Sequence, residues 1–96
     1  MNKTKILKIL ADLKGEIRQK YKVQIKGIFG SYARGEQKDT SDIDILVDFE
    51  EDADPFDFTG LALFLEEKLN IHVDIIPEKS LRKEIKRSVL KEVIRV

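Results

Sequence analysis

Between Asp42 and Phe49 the chain reads Asp-Ile-Asp-Ile-Leu-Val-Asp-Phe, and this alternation limits the fold more than any other stretch. Successive side chains of a strand point to opposite faces, so Ile43, Ile45 and Val47 share one face while Asp42, Asp44, Leu46 and Asp48 share the other. The first face reads as core. The second sets carboxylates close together, and like charges repel unless water or cations neutralise them.

Neighbouring segments supply what such a strand needs for cover. From Lys3 to Lys20, Ile6, Leu7, Leu10, Leu13 and Ile17 recur at the three-and-four spacing of a helix with one buried face. Val23, Ile25 and Gly27-Ile28-Phe29 read as a second strand, ended by a tight turn at Gly30-Ser31. Ala33 to Gln37 is expected to form a brief helix, and Glu50 to Pro55 an acidic, solvated connector. Phe58, Leu61, Ala62, Leu65 and Leu69 predict another amphipathic helix, with Asp57 as its cap. His72 to Ile76 reads as a strand halted by Pro77. A last helix is expected after Ser80, turning Leu81, Ile85, Val89 and Val93 inward and Arg82, Lys83, Lys86, Arg87, Lys91 and Arg95 outward. The order is helix, strand, short helix, strand, helix, strand, helix. It predicts an α/β sandwich, a few-stranded sheet covered by helices, and leaves strand order and direction open.

The 96 residues suit one domain, 1–96, with a single core. Hydrophobic residues make up 42% and charged residues 38%, a mixture that folds and carries a strongly solvated surface. No apolar run approaches the length of a membrane span, and the first residues carry no secretory pattern, so a cytoplasmic location is the expectation. Cysteine is absent, which removes disulfides, thiolate metal sites and cysteine nucleophiles. The formal net charge of zero conceals segregation. Residues 1–30 hold eight Lys/Arg against two Asp/Glu, residues 31–80 four against fourteen, and residues 81–96 six against two. An acidic centre flanked by basic segments repels a nucleic-acid backbone unless cations intervene, which points to metal.

Asp42 and Asp44 project from the same side of their strand, about 7 Å apart by the strand rise. Such a pair can share divalent cations. Oxygen ligands suit Mg or Mn, and one histidine without cysteine offers no softer site. Upstream, Gly30-Ser31 can present backbone N–H groups and a hydroxyl to phosphate oxygens. Downstream, Asp74 lies in a strand otherwise composed of Val73, Ile75 and Ile76. Should that strand pair beside Asp42-Ile43-Asp44, three carboxylates converge.

Gly30-Ser31-Tyr32-Ala33-Arg34-Gly35, followed seven positions past Gly35 by Asp42-Ile43-Asp44-Ile45-Leu46-Val47, resembles the signature of the DNA polymerase beta-like nucleotidyltransferase superfamily. The Ala-Arg-Gly continuation and the chain's size are similar to its minimal nucleotidyltransferases. Gly-Ser or Asp-x-Asp alone is a weak signal; the joint spacing with a later lone Asp on a strand is strong. The resemblance implies a small mixed sheet covered by helices, and a Mg-dependent enzyme that moves a nucleoside monophosphate from ATP or another NTP to an acceptor. It implies that Gly30 and Ser31 hold the triphosphate, that Asp42, Asp44 and Asp74 are catalytic and bind two Mg2+ ions, and that Asp74 helps activate the acceptor hydroxyl. Arg34 would lie near the nucleotide or brace the acidic site. The resemblance further implies a HEPN-domain protein partner, with the chain acting as antitoxin by AMP transfer to a hydroxyl of that toxin.

Other readings stand beside these. The chain would serve as a non-catalytic antitoxin that occludes its partner, or as a small-molecule or nucleic-acid nucleotidyltransferase. A nucleic-acid acceptor is disfavoured, because template-dependent relatives need extra domains to grip a primer. Arg34 has a surface ion pair with Glu36 or Asp39 as its plain alternative, Ser31 a turn, Asp48 a salt bridge, and His72 an exposed strand end. Tyr32 faces either the nucleotide or a helix. The basic last helix keeps the chain soluble or meets a partner, and the domain has surface enough to oligomerise.

Overall fold

A computed structural model describes residues 1–96. Helix α1 spans Lys3–Tyr21, with the Asn2 side chain accepting from the Lys5 N–H at its start and Lys22 in the left-handed conformation at its end. It leads into β1, Val23–Phe29. After the four-residue helix α2, Ser31–Arg34, the chain forms β2, Ile43–Phe49, then α3, Pro55–Leu69, and β3, Val73–Pro77. A 3-10 turn at Glu78–Ser80 precedes α4, Lys83–Glu92, and the short strand β4, Ile94–Arg95.

The sheet order is β3-β2-β1-β4. β1 runs antiparallel to β2 and β4, whereas β2 and β3 are parallel, so the sheet is mixed. The parallel step is possible because α3 provides the crossover between β2 and β3. α1 and α3 pack on each other and cover the apolar sheet face. Ile43, Ile45 and Val47 are buried there with Ile6, Leu10 and Ile17 of α1 and Leu61, Leu65 and Leu69 of α3. The two-faced reading of β2 and the periodic positions of both long helices therefore agree with the packing.

β1 carries an irregularity that its sequence does not advertise. Ile25 pairs with Val47, but Gly27 pairs with Leu46, leaving Lys26 as an extra residue in a β-bulge. The bulge resets the alternation, so Val23, Ile25 and then Ile28 all reach the core.

Several expected boundaries move, each for a local reason. α2 occupies Ser31–Arg34 instead of 33–37, because Gly30 (φ 75°) starts it and Gly35 (φ 73°) stops it in the left-handed region. Asp54, not Asp57, is the N-cap of α3; Pro55 takes the first helical position and Asp57 closes a reciprocal capping box with Asp54. Ser80 does not cap α4, since its hydroxyl donates to the Pro77 carbonyl at 2.8 Å and closes the 3-10 turn. α4 consequently starts later, buries Val89 and leaves Ile85 half exposed. Phe58 is also more exposed than expected, stacking on Phe49 at the rim with ring centroids 5.7 Å apart. β4 was outside the expected pattern altogether. It fits against β1 because position 27 is glycine: a Cβ there would stand 2.2 Å from the Ile94 carbonyl oxygen. No helix is long and apolar enough to cross a membrane.

Candidate active site

Parallel pairing of β2 with β3 sets Asp44 directly against Asp74. Asp42 immediately precedes β2, and both it and Asp74 are solvent exposed, while Asp44 is half-buried. Burial chiefly, then the nearby charges of Asp74, Asp42 and Glu92, push the Asp44 carboxyl up to about 6 from 3.8, with Arg34 pulling the other way. The three carboxylates anticipated from sequence thus share one electrostatic neighbourhood on the face opposite the core. No three His, Cys, Asp or Glu side chains close into a cage around one point. The cluster is open on the solvent side.

Asp42, Asp44 and Asp74 are the residues that could hold a divalent cation here, with substrate oxygens completing its shell. Mg2+ retains water and takes one or two carboxylates together with phosphate oxygens, in preference to a closed protein cage. The donors are all oxygen, and a cation would offset the burial and, after it, the like charges that raise Asp44. The glycine at position 30 belongs to the same cradle: a Cβ there would lie 2.2 Å from Asp44 Oδ2. Gly30 is also held at φ 75°, ψ −154°, a conformation open in practice to glycine alone.

Beyond Gly30, Ser31 opens α2 while Tyr32 and Ala33 turn into the main core, which assigns Tyr32 to packing. The aromatic ring and the alanine anchor the turn from beneath. Arg34 is exposed and forms ion pairs with Glu36, at 3.4 Å, and with Glu92. Its pairing with Glu36 matches the plain alternative read from sequence; its pairing with Glu92 ties it to α4. Asp48 sits 3.7 Å from Lys79, and the exposed His72 ring lies 3.3 Å from Glu66, while the His72 carbonyl accepts from the Ile43 N–H beside Asp42. A cleft of about 510 Å3 opens beside Asp42, bordered by Ser41, Asn70 and His72.

Sequence reasoning missed Glu92. It is one of only two acids among residues 81–96, and the short Val93-Ile94-Arg95-Val96 alternation that follows is the one hint that the chain turns back to the sheet there.

Residues 10–96 match the sequence profile of the nucleotidyltransferase domain family. The chain belongs to that family and is a nucleotidyltransferase. Within it, the chain shares the architecture of the minimal nucleotidyltransferases: a solved structure bearing that description superposes with a TM-score of 0.84 at 33% identity, covering 100% of this chain and 97% of that one. The protein adenylyltransferase MntA of Thermococcus cleftensis is 46% identical over 88 residues, 92% of this chain and 89% of the relative. A toxin–antitoxin crystal structure with AMP-PNP matches at TM-score 0.68 and 30% identity, over 99% of this chain and 72% of that one. A complex of tri-AMPylated Shewanella oneidensis HEPN toxin with its MNT antitoxin matches at TM-score 0.59 and 28% identity, over 98% and 67%.

Proposed function

We propose that this nucleotidyltransferase is a Mg-dependent protein adenylyltransferase that transfers AMP from ATP to a hydroxyl of a HEPN-domain toxin and thereby acts as its antitoxin. The observation that carries the reading is the register of β2 and β3, which sets Asp44 beside Asp74 with Asp42 at the strand entrance. The similarity to MntA and to the HEPN toxin–MNT antitoxin complex supports the protein acceptor. The AMP-PNP complex supports an adenine nucleotide as donor.

In this reading the acceptor oxygen attacks the α-phosphorus of ATP, the bond to the bridging oxygen of the β-phosphate breaks, and pyrophosphate leaves. Asp42, Asp44 and Asp74 would hold two Mg2+ ions, which stabilise charge on the attacking and leaving oxygens of such an in-line displacement. Asp74, at the exposed sheet edge, faces the acceptor and helps draw off its hydroxyl proton. Gly30 and Ser31 lie where the triphosphate would run, and the absent Cβ at position 30 leaves room beside Asp44. The acidic cluster itself cannot take a polyphosphate without cations, so nucleotide and metal bind as one unit.

Incubation of the purified chain with labelled ATP, Mg2+ and a HEPN-domain partner tests this directly. Label is expected on the partner and is expected to vanish with Asp42→Asn or Asp44→Asn. Neutralisation of the toxin that survives both substitutions would overturn catalysis as the operative mechanism and leave occlusion.

A further inference from the structure

One carboxylate near the acidic cluster has no place in the scheme above. Glu92, the last residue of α4, accepts two hydrogen bonds on a single oxygen, one from the Gly30 N–H at 3.0 Å and one from the Arg34 guanidinium. It is largely buried, with 29% of its side chain exposed. Placing a further negative charge next to Asp42, Asp44 and Asp74 is unfavourable by itself. Its presence there calls for a compensating role, and the two donors it engages are both in the segment that frames the triphosphate site.

Glu92 is also held from both sides. One turn earlier Val89 is buried, and just after it β4 pairs with β1 at Gly27 and Ile28. The Val96 N–H donates to the Lys26 carbonyl at 3.1 Å, and the Lys14 ammonium reaches the Val96 carbonyl at 2.9 Å. The carboxylate is therefore delivered by a fixed backbone. Gly30, by contrast, has no side chain to restrict its backbone, so the turn's shape has to be fixed by what surrounds it. A charge-assisted acceptor on its N–H supplies that constraint, and the same oxygen stops the Arg34 side chain from swinging over the cluster.

We infer that Glu92 is a positioning residue for nucleotide binding, acting through the Gly30 turn and Arg34, so that the α4–β4 segment is a structural part of the triphosphate site. The inference rests on the nucleotidyltransferase reading of Gly30 and Arg34. Glu92 touches neither the acceptor nor the reacting phosphorus; it sets the shape of the turn on which the polyphosphate lies.

The test uses the full chain with Mg2+, measuring affinity for AMP-PNP, and KM for ATP separately from kcat in the label-transfer assay. Glu92→Ala removes the acceptor of both hydrogen bonds and is expected to raise both Kd and KM about tenfold or more, with kcat changed less than about threefold. Glu92→Gln keeps an oxygen that accepts from both donors and is expected to stay within about threefold of the parent. Glu92→Asp keeps the charge but draws the oxygen back by a methylene, and carries the same expectation as alanine should alanine cost the fold. Unchanged affinity in Glu92→Ala overturns the inference, as does tighter binding, which would make Glu92 an obstruction. A glutamine variant as weak as alanine also overturns it. A parent chain that binds no AMP-PNP overturns the nucleotide reading itself, a result distinct from a parent that binds equally with and without Glu92.

Discussion

The two faces of β2 are made from the same seven residues and obey opposite rules. On one, Ile43, Ile45 and Val47 are fully buried and join a core shared by α1 and α3. On the other, Asp44 stands against Asp74, and its half-burial raises its proton affinity. The core face gains from every contact. The acidic face is a local cost that the core face must carry, because burial and neighbouring like charges oppose the ionised Asp44 carboxylate. Stability and chemistry are thus separated by the thickness of one strand.

That separation can be broken first on the acidic side. Asp42→Asn or Asp44→Asn is expected to lower the rate of label transfer by roughly 10³-fold or more, the scale of losing a group that acts on transition-state charge, with the circular-dichroism spectrum retained. On the core face the outcome should invert. Ile45→Ala is expected to cost about 2–5 kcal/mol in urea unfolding, while the surviving folded fraction keeps its kcat. Gly30→Ala sits between the two, because its Cβ would press on the Asp44 carboxylate at 2.2 Å and its φ is strained. It is expected to lose transfer activity and roughly 1–3 kcal/mol of stability, read in the same two assays.

The smallest effect is the most diagnostic. With the folded-state value of Asp44 raised from 3.8 to about 6, the folded protein keeps a proton that the unfolded chain has already released across that interval. Ionising Asp44 therefore costs stability progressively as pH rises from about 4 to about 6, and the full cost is present at neutral pH. Asp44→Asn should stabilise the metal-free protein at neutral pH by about 1 kcal/mol, allowing for partial exposure, and the gain should vanish below about pH 4. Thermal melts across this range check it. Saturating Mg2+ should reverse the sign, since only the parent gains binding energy from the ion. An Asp44→Asn variant that melts with its parent at every pH would remove the tension assigned to the acidic face.

Much of this contrast was legible in the chain itself. The Asp-x-Asp strand, the glycine turn twelve residues upstream and the lone acid among Val73, Ile75 and Ile76 are local patterns, and local patterns survive into structure. The long helices were likewise readable, because Ile6, Leu10, Ile17, Leu61, Leu65 and Leu69 repeat with the helical period. What escaped depends on distant pairing. Nothing near Asp74 states that its strand lies parallel to β2, in register with Asp44. Glu92 reaches Gly30 across sixty-two positions, and β4 exists because a glycine at position 27 admits it. Competition among adjacent polar residues decided the smaller errors: Asp54 and Asp57 both cap well, and only the Pro55 between them selects the first.

The bulge at Lys26 bears on how this chain can change length. An insertion or deletion in the solvated connector at residues 50–53, ahead of the Asp54 cap, falls in a loop. Deleting one residue at the bulge would instead remove the unpaired position and leave a regular ladder, with Ile25 opposite Val47, the next residue opposite Leu46 and Ile28 still opposite Ile45. Ile28 would keep its place in the core and Gly30 its approach to Asp44, whereas one residue added to the regular stretch after the bulge would turn Ile28 outward. The extra residue is slack in the strand, a position where β1 can shorten by one without exchanging its inner and outer faces.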